Sequence, residues 1–317
     1  EVSPAKMPSV LTPATNSERP MPDLISYLQF VLAPQMLNGL ALGVSVILVA
    51  LGLTIIFGLL DVINMSHGEF YAVGAFGALA LSALGFNYWV LIALVPILMI
   101  PIGVLTERFL IRRVYDGGDR HVSTLLLTFG LGMIAEDLLK IVFGPNTHRP
   151  ENPLPGATEV LGVFIPTYRL FLIAIGAVVI VAVALVVYRT RLGAMVRAAA
   201  FDRNMAASLG VRVGWVYSGA FAFGVALAGL AGVLLAPIYS VFPTMGHDFI
   251  LMAFTVVIVG GMGSIWGAVI AGVLLTQVQA ISSLVISPVW ADPIVFGVMV
   301  LVLMFRPQGI FGRIGHA

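Results

Sequence analysis

Apolar residues fill nine runs along this chain, at about Gln35 to Leu60, Phe70 to Leu84, Tyr88 to Leu105, Val122 to Phe143, Leu170 to Tyr188, Trp215 to Ile238, Phe249 to Val259, Ile265 to Ile286 and Ile294 to Phe305. At about 1.5 Å of helix per residue, most of them cross or nearly cross a hydrocarbon layer about 30 Å thick. The runs from Phe70 and from Phe249 are short and adjoin polar or glycine-rich breaks, a pattern that predicts half-helices or re-entrant segments. The predicted fold is an all-α polytopic membrane protein, a bundle of about eight or nine transmembrane helices with broken or re-entrant segments. Small residues recur at helix spacing in Ala220, Gly224, Ala228 and Gly232, and in Ser264, Ala268 and Gly272. Such stripes let helix backbones approach closely in lipid, so they predict a compact bundle.

The polar positions between the runs set a topology. Arg108, Arg112, Arg113 and Arg120 occupy one loop, five arginines lie between Arg189 and Arg212, and Arg306 and Arg313 follow the last run. Basic residues flanking spans mark the cytoplasmic side, so these three regions are expected there together with the C-terminus. The Pro- and Gly-rich loops Gly144 to Arg169 and Pro237 to Asp248 then face the other side. Residues 1–34 are predicted to form a flexible proline-rich tail and a short lead-in helix. A permease domain is predicted over 35–312, with a cytoplasmic loop at 189–212, and a cytoplasmic tail over 313–317.

Composition narrows the function classes. With 60% apolar and 10% charged residues and a mean hydropathy of +1.06, the 317-residue chain has too little polar surface for a soluble globule. A net charge of +1 gives no reason to expect nucleic-acid binding. The lysines are Lys6 and Lys140, and neither lies in the G-x-x-x-x-G-K-[ST] loop that cradles nucleotide phosphates, so the chain carries no P-loop ATPase of its own. The absence of cysteine excludes disulfides and thiolate chemistry.

Four polar places remain as candidates. Asn64, Ser66, His67 and Glu69 interrupt almost fifty otherwise apolar residues. Ser66-x-x-Glu69 has the spacing of a capping box, and a helix that starts within the membrane also aims its positive end and free N–H groups at a transport pathway. Both readings stay open. His67 and Glu69 lack a third ligand at a usual spacing, so no metal site is expected. Glu136 and Lys140, at i and i+4 beside Asp137, read as an internally neutralised pair. Gly260, Gly261 and Gly263 permit a tight turn, with Ser264 placed to cap the next helix, and this second break is expected to flank the pathway with the first. In the arginine island, Asp202 is a good N-cap, Arg203 to Leu209 can make two turns and Gly210 is a natural stop. Ala194 to Ala200 is also helix-prone. These segments predict short helices on the cytoplasmic face, whose small Ala and Ser residues would enter a groove on a partner.

Ile63-Asn-Met-Ser-His-Gly-Glu69, Arg191-Leu-Gly-Ala-Met-Val-Arg197 with Asp202 and Ala206 to Gly210, Gly260-Gly-Met-Gly-Ser-Ile-Trp-Gly-Ala268 and Arg306-Pro-Gln-Gly-Ile-Phe-Gly312 together resemble the permeases of the hydrophobic (branched-chain) amino-acid ABC importer family, in particular the LivH-type subunit. The resemblance runs from about Gln35 to Gly312. Met65-Ser66 stands where members often have Phe-Ala, and the Asn-Met form is similar to that of related urea permeases. The resemblance implies a non-enzymatic transport subunit of a bacterial inner membrane, paired with a homologous LivM-type permease. Two cytoplasmic ATPases of the LivG and LivF type would hold ATP and Mg and grip Arg197, Asp202, Arg203, Ala206, Leu209 and Gly210, and an extracytoplasmic binding protein would deliver substrate. It implies no cofactor in this chain. Alternatives are a urea, amide or aromatic-acid importer of the same family, and an ion-coupled secondary carrier.

Overall fold

The computed structural model describes residues 24–114, 119–160 and 162–312. The predicted tails up to residue 23 and over 313–317, Arg313 included, lie outside the described residues. A short helix α1 (Leu24–Tyr27) leads through a wide turn, Leu28–Leu32, into α2 (Ala33–Leu60). There follow α3 (His67–Ala83), α4 (Tyr88–Phe109), α5 (Arg120–Phe143) and α6 (Thr167–Arg189). Two short helices, α7 (Arg191–Phe201) and α8 (Arg203–Ser208), precede α9 (Val213–Leu235), α10 (Met245–Gly260), α11 (Ile265–Val285) and α12 (Ala291–Phe305). All nine apolar runs are thus helical. A small antiparallel hairpin, β1 (Ala157–Val160) and β2 (Val163–Pro166), pairs Ala157 with Pro166 in the loop before α6.

Burial sorts the helices into two classes. The most apolar windows of α2 and α9 are 83% and 89% buried, against 17% for α6 and 11% for the α12 segment, so α2 and α9 form the axis while α6 and α12 present apolar faces outward. Glycine makes the axis tight. A Cβ on Gly224 of α9 would lie 2.8 Å from the Gly52 carbonyl of α2, and one on Gly232 would lie 2.3 Å from the Tyr71 carbonyl of α3. The predicted stripe on α9 is therefore where α2 and α3 pack. Ala268 and Gly272 likewise turn inward on α11, Gly272 meeting Ile47 of α2.

The arginine-bearing loops gather at one end of the bundle. Arg112, in the turn Ile111–Val114 after α4, donates to the carbonyl of Gly214 at the start of α9 at 2.5 Å. His121 at the start of α5 lies 3.6 Å from Asp61 at the end of α2. At the opposite end Tyr88 and Tyr168 share a 2.5 Å hydrogen bond, and Tyr168 donates to the Leu234 carbonyl at 2.6 Å, joining the starts of α4 and α6 to the end of α9.

Two helices begin at neither end. His67, the first residue of α3, reaches the Val49 carbonyl of α2 at 3.1 Å. Val49 lies 11 residues before α2 stops at Leu60, so α3 starts about 16 Å inside the bundle. The start of α10 meets it there: a Cβ on Gly68 would lie 2.2 Å from the Gly246 carbonyl. From this junction α3 runs to one end and α10 to the other. At 17 and 16 residues they are only about 25 Å long, as expected of half-helices.

Candidate coupling surface and intramembrane site

Between α6 and α9 the chain builds a capped bracket. Thr190 accepts the Gly193 N–H at 3.1 Å and opens α7. Asp202 accepts the N–H groups of Asn204 and Met205 at 2.8 and 2.9 Å and opens α8, and Gly210, with φ of 88°, ends it. The arginines hold the bracket in place. Arg197 donates to the Val187 carbonyl and lies 5.8 Å from the Tyr188 ring centroid, and Arg203 lies 5.7 Å from that of Tyr217. One expectation is corrected. Ala206, expected on the outer face, is buried and with Ala199 packs α7 and α8 onto the bundle, whereas Ala194, Ala198, Ala200, Ala207 and Ser208 are exposed. Large apolar side chains project among them: Phe201 and Leu209 are 82% and 78% exposed, with Met205 between them. Large apolar side chains projecting from a polar membrane face mark an interaction site.

The intramembrane break differs from the predicted capping box. Ser66 has helical backbone angles and makes no cap; its hydroxyl donates to Asn64 Oδ1 at 2.7 Å. A backbone turn does the capping instead, with the His67 and Glu69 N–H groups bonded to the carbonyls of Asn64 and Ser66. Thr128 of α5 braces the same turn by accepting the Met65 N–H at 3.0 Å. His67 faces α2, while Glu69 turns toward α5 and α10, so the two do not act as a pair.

Around Glu69 the fold assembles groups that no sequence spacing joins. His247, the third residue of α10, places Nε2 3.8 Å from Glu69 Oε1 and 2.7 Å from Glu136 Oε2 of α5. Lys140 binds the other oxygen of Glu136 at 2.5 Å. Ligand atoms of Glu69, Glu136 and His247 lie within 4.8 Å of one another, so the third group missing from the linear spacing is present in space. The positive charge already seated on Glu136 is an ammonium. The N-termini of α3 and α10 both end at this junction, so two positive helix ends face the Glu69 carboxylate. Gly246 is required there, because a Cβ would lie 2.4 Å from Glu69 Oε1.

The glycine break at Gly260, Gly261, Gly263 and Ser264 is elsewhere. It turns α10 into α11 at the arginine-bearing end, with positive φ at Gly261 and Gly263 and Ser264 capping Gly267 at 3.1 Å. Ile310 and Phe311 bond back to the Val259 and Gly260 carbonyls, so this turn seats the C-terminal segment instead of flanking Glu69. The counterpart of the first break is Gly246-His247, which sequence reasoning passed over. A signal was present: His67-Gly68-Glu69-Phe70 and Gly246-His247-Asp248-Phe249 both set Gly, His and a carboxylate immediately before the two short apolar runs.

The model of the branched-chain amino acid transport system / permease component family matches residues 35–304. The chain belongs to that family. It is similar to the high-affinity branched-chain amino acid transport system permease protein BraD of Pseudomonas aeruginosa, with 31% identity over 92% of this chain and 98% of the relative. LivH of Escherichia coli is 31% identical over 88% of this chain and 95% of its own length. LivM of Salmonella typhimurium is 27% identical over 83% of this chain and 67% of its own. Among solved structures, PsaBC from Streptococcus pneumoniae in complex with Fab shares the fold, with a TM-score of 0.50 at 11% identity over 90% of this chain and 96% of that one. Family membership makes the chain a multi-pass, non-enzymatic transport subunit.

Proposed function

We propose that this chain is a permease subunit of a bacterial inner-membrane importer for branched-chain or other hydrophobic amino acids, driven by ATP hydrolysis in separate cytoplasmic subunits. The observation that carries this reading is the joint presence of two features on one family member: a capped cytoplasmic bracket with an exposed apolar tip, and a polar junction in mid-membrane where two half-helices start. The bracket suits a groove on an ATPase, with Phe201, Met205 and Leu209 as anchors, while Asp202 and Gly210 set its shape and Arg197 and Arg203 hold it to the bundle. A homologous LivM-type permease is the expected companion, since relatives of both LivH and LivM types match this chain. The poorly covered face of α5, where Leu126, Phe129 and Met133 are exposed beside Glu136, fits that companion. On this reading the arginine-bearing end and the C-terminus are cytoplasmic.

The test is reconstitution of the chain in proteoliposomes with a companion permease, two ATPases and an extracytoplasmic binding protein. Leucine uptake is expected to require ATP and to survive collapse of proton and sodium gradients. Uptake that persists without the ATPases, or that stops when the gradients do, overturns the proposal in favour of an ion-coupled carrier.

A further inference from the structure

We infer that the Glu69–Glu136–His247 junction is a recognition point for the α-ammonium of a zwitterionic amino acid in transit. The inference rests on the importer reading above and adds to it the chemistry by which the membrane subunit meets its cargo.

The junction is unbalanced. Glu69 has a side chain only 3% exposed, and its Oε2 has no hydrogen-bond partner among the described residues. A buried carboxylate oxygen without a donor is costly, and proteins keep such groups where function uses them. Glu69 is not a capping residue, and the backbone turn before α3 needs no side chain, so helix architecture does not explain it. The two helix ends that converge on it favour its negative charge without occupying Oε2. The neighbours then define the partner. Glu136 has both oxygens engaged, by Lys140 and His247, and Lys140 also reaches the exposed Asp137, so the fixed cation is spent on these two and Glu69 has none of its own. The unpartnered Glu69 oxygen calls for a cationic group with several N–H donors. A primary ammonium has three, and Lys140 on Glu136 shows that the local geometry accepts one.

Access fits as well. His247 and Lys140 have side chains 48% and 39% exposed beside the buried Glu69, so the junction is approached from their side. Outer donors and an inner carboxylate complement a zwitterion that arrives ammonium first, while an apolar side chain can rest against the exposed face of α5. A site on a transport route must bind weakly enough to release. One carboxylate contact, made and broken as α3 and α10 shift, meets that requirement.

The experiment uses the complete reconstituted transporter, with leucine as probe, and reads leucine moved per ATP hydrolysed. Glu69→Gln keeps the shape and removes the charge. It is expected to lower that ratio about tenfold, the loss of one charge-assisted hydrogen bond, while ATPase activity stimulated by the loaded binding protein stays within about twofold. A wild-type ratio in Glu69→Gln overturns the inference, and so does a parallel fall of uptake and ATPase activity, which would show a structural role. Should Glu69→Gln fail to assemble, Glu136→Gln at the more open side carries the test, with a smaller fall expected and an unchanged ratio refuting. Stoichiometric zinc or manganese in the purified complex, lost in Glu69→Gln, would assign the junction to a metal and overturn the ammonium assignment. Absence of leucine uptake by the wild-type assembly would instead overturn the importer reading.

Discussion

Arg112→Ala is expected to be among the most damaging single changes at the arginine-bearing end, although Arg112 is itself part-exposed. The reason lies in what it leaves behind. Glu107 near the end of α4 is wholly buried, and Arg112 grips it with two N–H groups, Nε to Oε1 and Nη2 to Oε2, both at 3.2 Å. The same guanidinium donates to the Gly214 carbonyl, and Ser218 of α9 donates to Glu107. Removing Arg112 strands a buried carboxylate with one hydroxyl partner. Loss of one member of a buried pair costs about 3–5 kcal/mol, and the retained Ser218 bond offsets about 1 kcal/mol of it, so the net is about 3 kcal/mol. Glu107→Gln keeps the acceptor and removes the charge, while Arg112, 37% exposed, can turn to water; the cost is about 1 kcal/mol. The double variant should therefore be more stable than Arg112→Ala alone, with a coupling of about 2 kcal/mol. Thermal unfolding of the purified permease pair checks this, with Arg112→Ala lowering the midpoint by on the order of 2–5 °C. Arg112→Ala within about 1 kcal/mol of the parent, or no recovery on adding Glu107→Gln, would refute this coupling.

Two contrasts test the packing and the bracket. Gly74→Ala would place a Cβ 2.4 Å from Gly229 Cα, whereas nothing lies within 4 Å of one at Gly77, so Gly74→Ala should deplete folded protein in membranes while Gly77→Ala expresses normally; equal yields would refute the close approach of α3 and α9. Asp202→Ala should cost about 1 kcal/mol of local helix stability and lower ATP-driven uptake without affecting insertion, and Asp202→Asn, which can still cap, should retain most activity. Equal uptake in the Ala variant and the parent would show that α8 need not be pre-formed.

The bundle was legible in the sequence because lipid leaves a chain few options: backbone polar groups must be satisfied internally, so apolar runs become helices. The two short runs were legible as half-helices for the same reason, and the cap at Asp202, the stop at Gly210 and the cap at Ser264 were legible from local chemistry alone. What sequence hid was everything set by rotation and depth. Ser66 and Glu69 have capping-box spacing, yet the turn through Asn64 satisfies the frayed N–H groups first and frees Glu69 to face α5 and α10. Ala206 looks like an outward-facing small residue until α8 is laid on α9, which buries it and leaves Met205 and Leu209 outside. His247 lies 178 residues from Glu69 in sequence and meets it only because α3 and α10 both begin at mid-depth. The shared Gly-His-carboxylate composition before the two short runs was the one linear trace of that meeting.

One helix joins the bracket and the junction. α9 begins at Val213, directly after the bracket, and runs about 34 Å to Leu235 through the centre of the bundle. Along it lie the contacts that leave no slack: Gly224 on Gly52, Gly229 beside Gly74, and Gly232 on the Tyr71 carbonyl two residues past Glu69. Backbones in contact without intervening side chains cannot absorb a displacement by changing rotamers, since interiors at this density move as blocks. A push on Phe201 or Leu209 therefore reaches α9 through the buried seats of Ala199 and Ala206, and α9 carries α3 with it. Because α10 starts against Gly68 and runs the other way, a shift of α3 relative to α10 would alter the Glu69–His247 distance at the junction. On the importer reading, a stroke from the arginine-bearing end would thus be felt at Glu69, where the two half-helices meet.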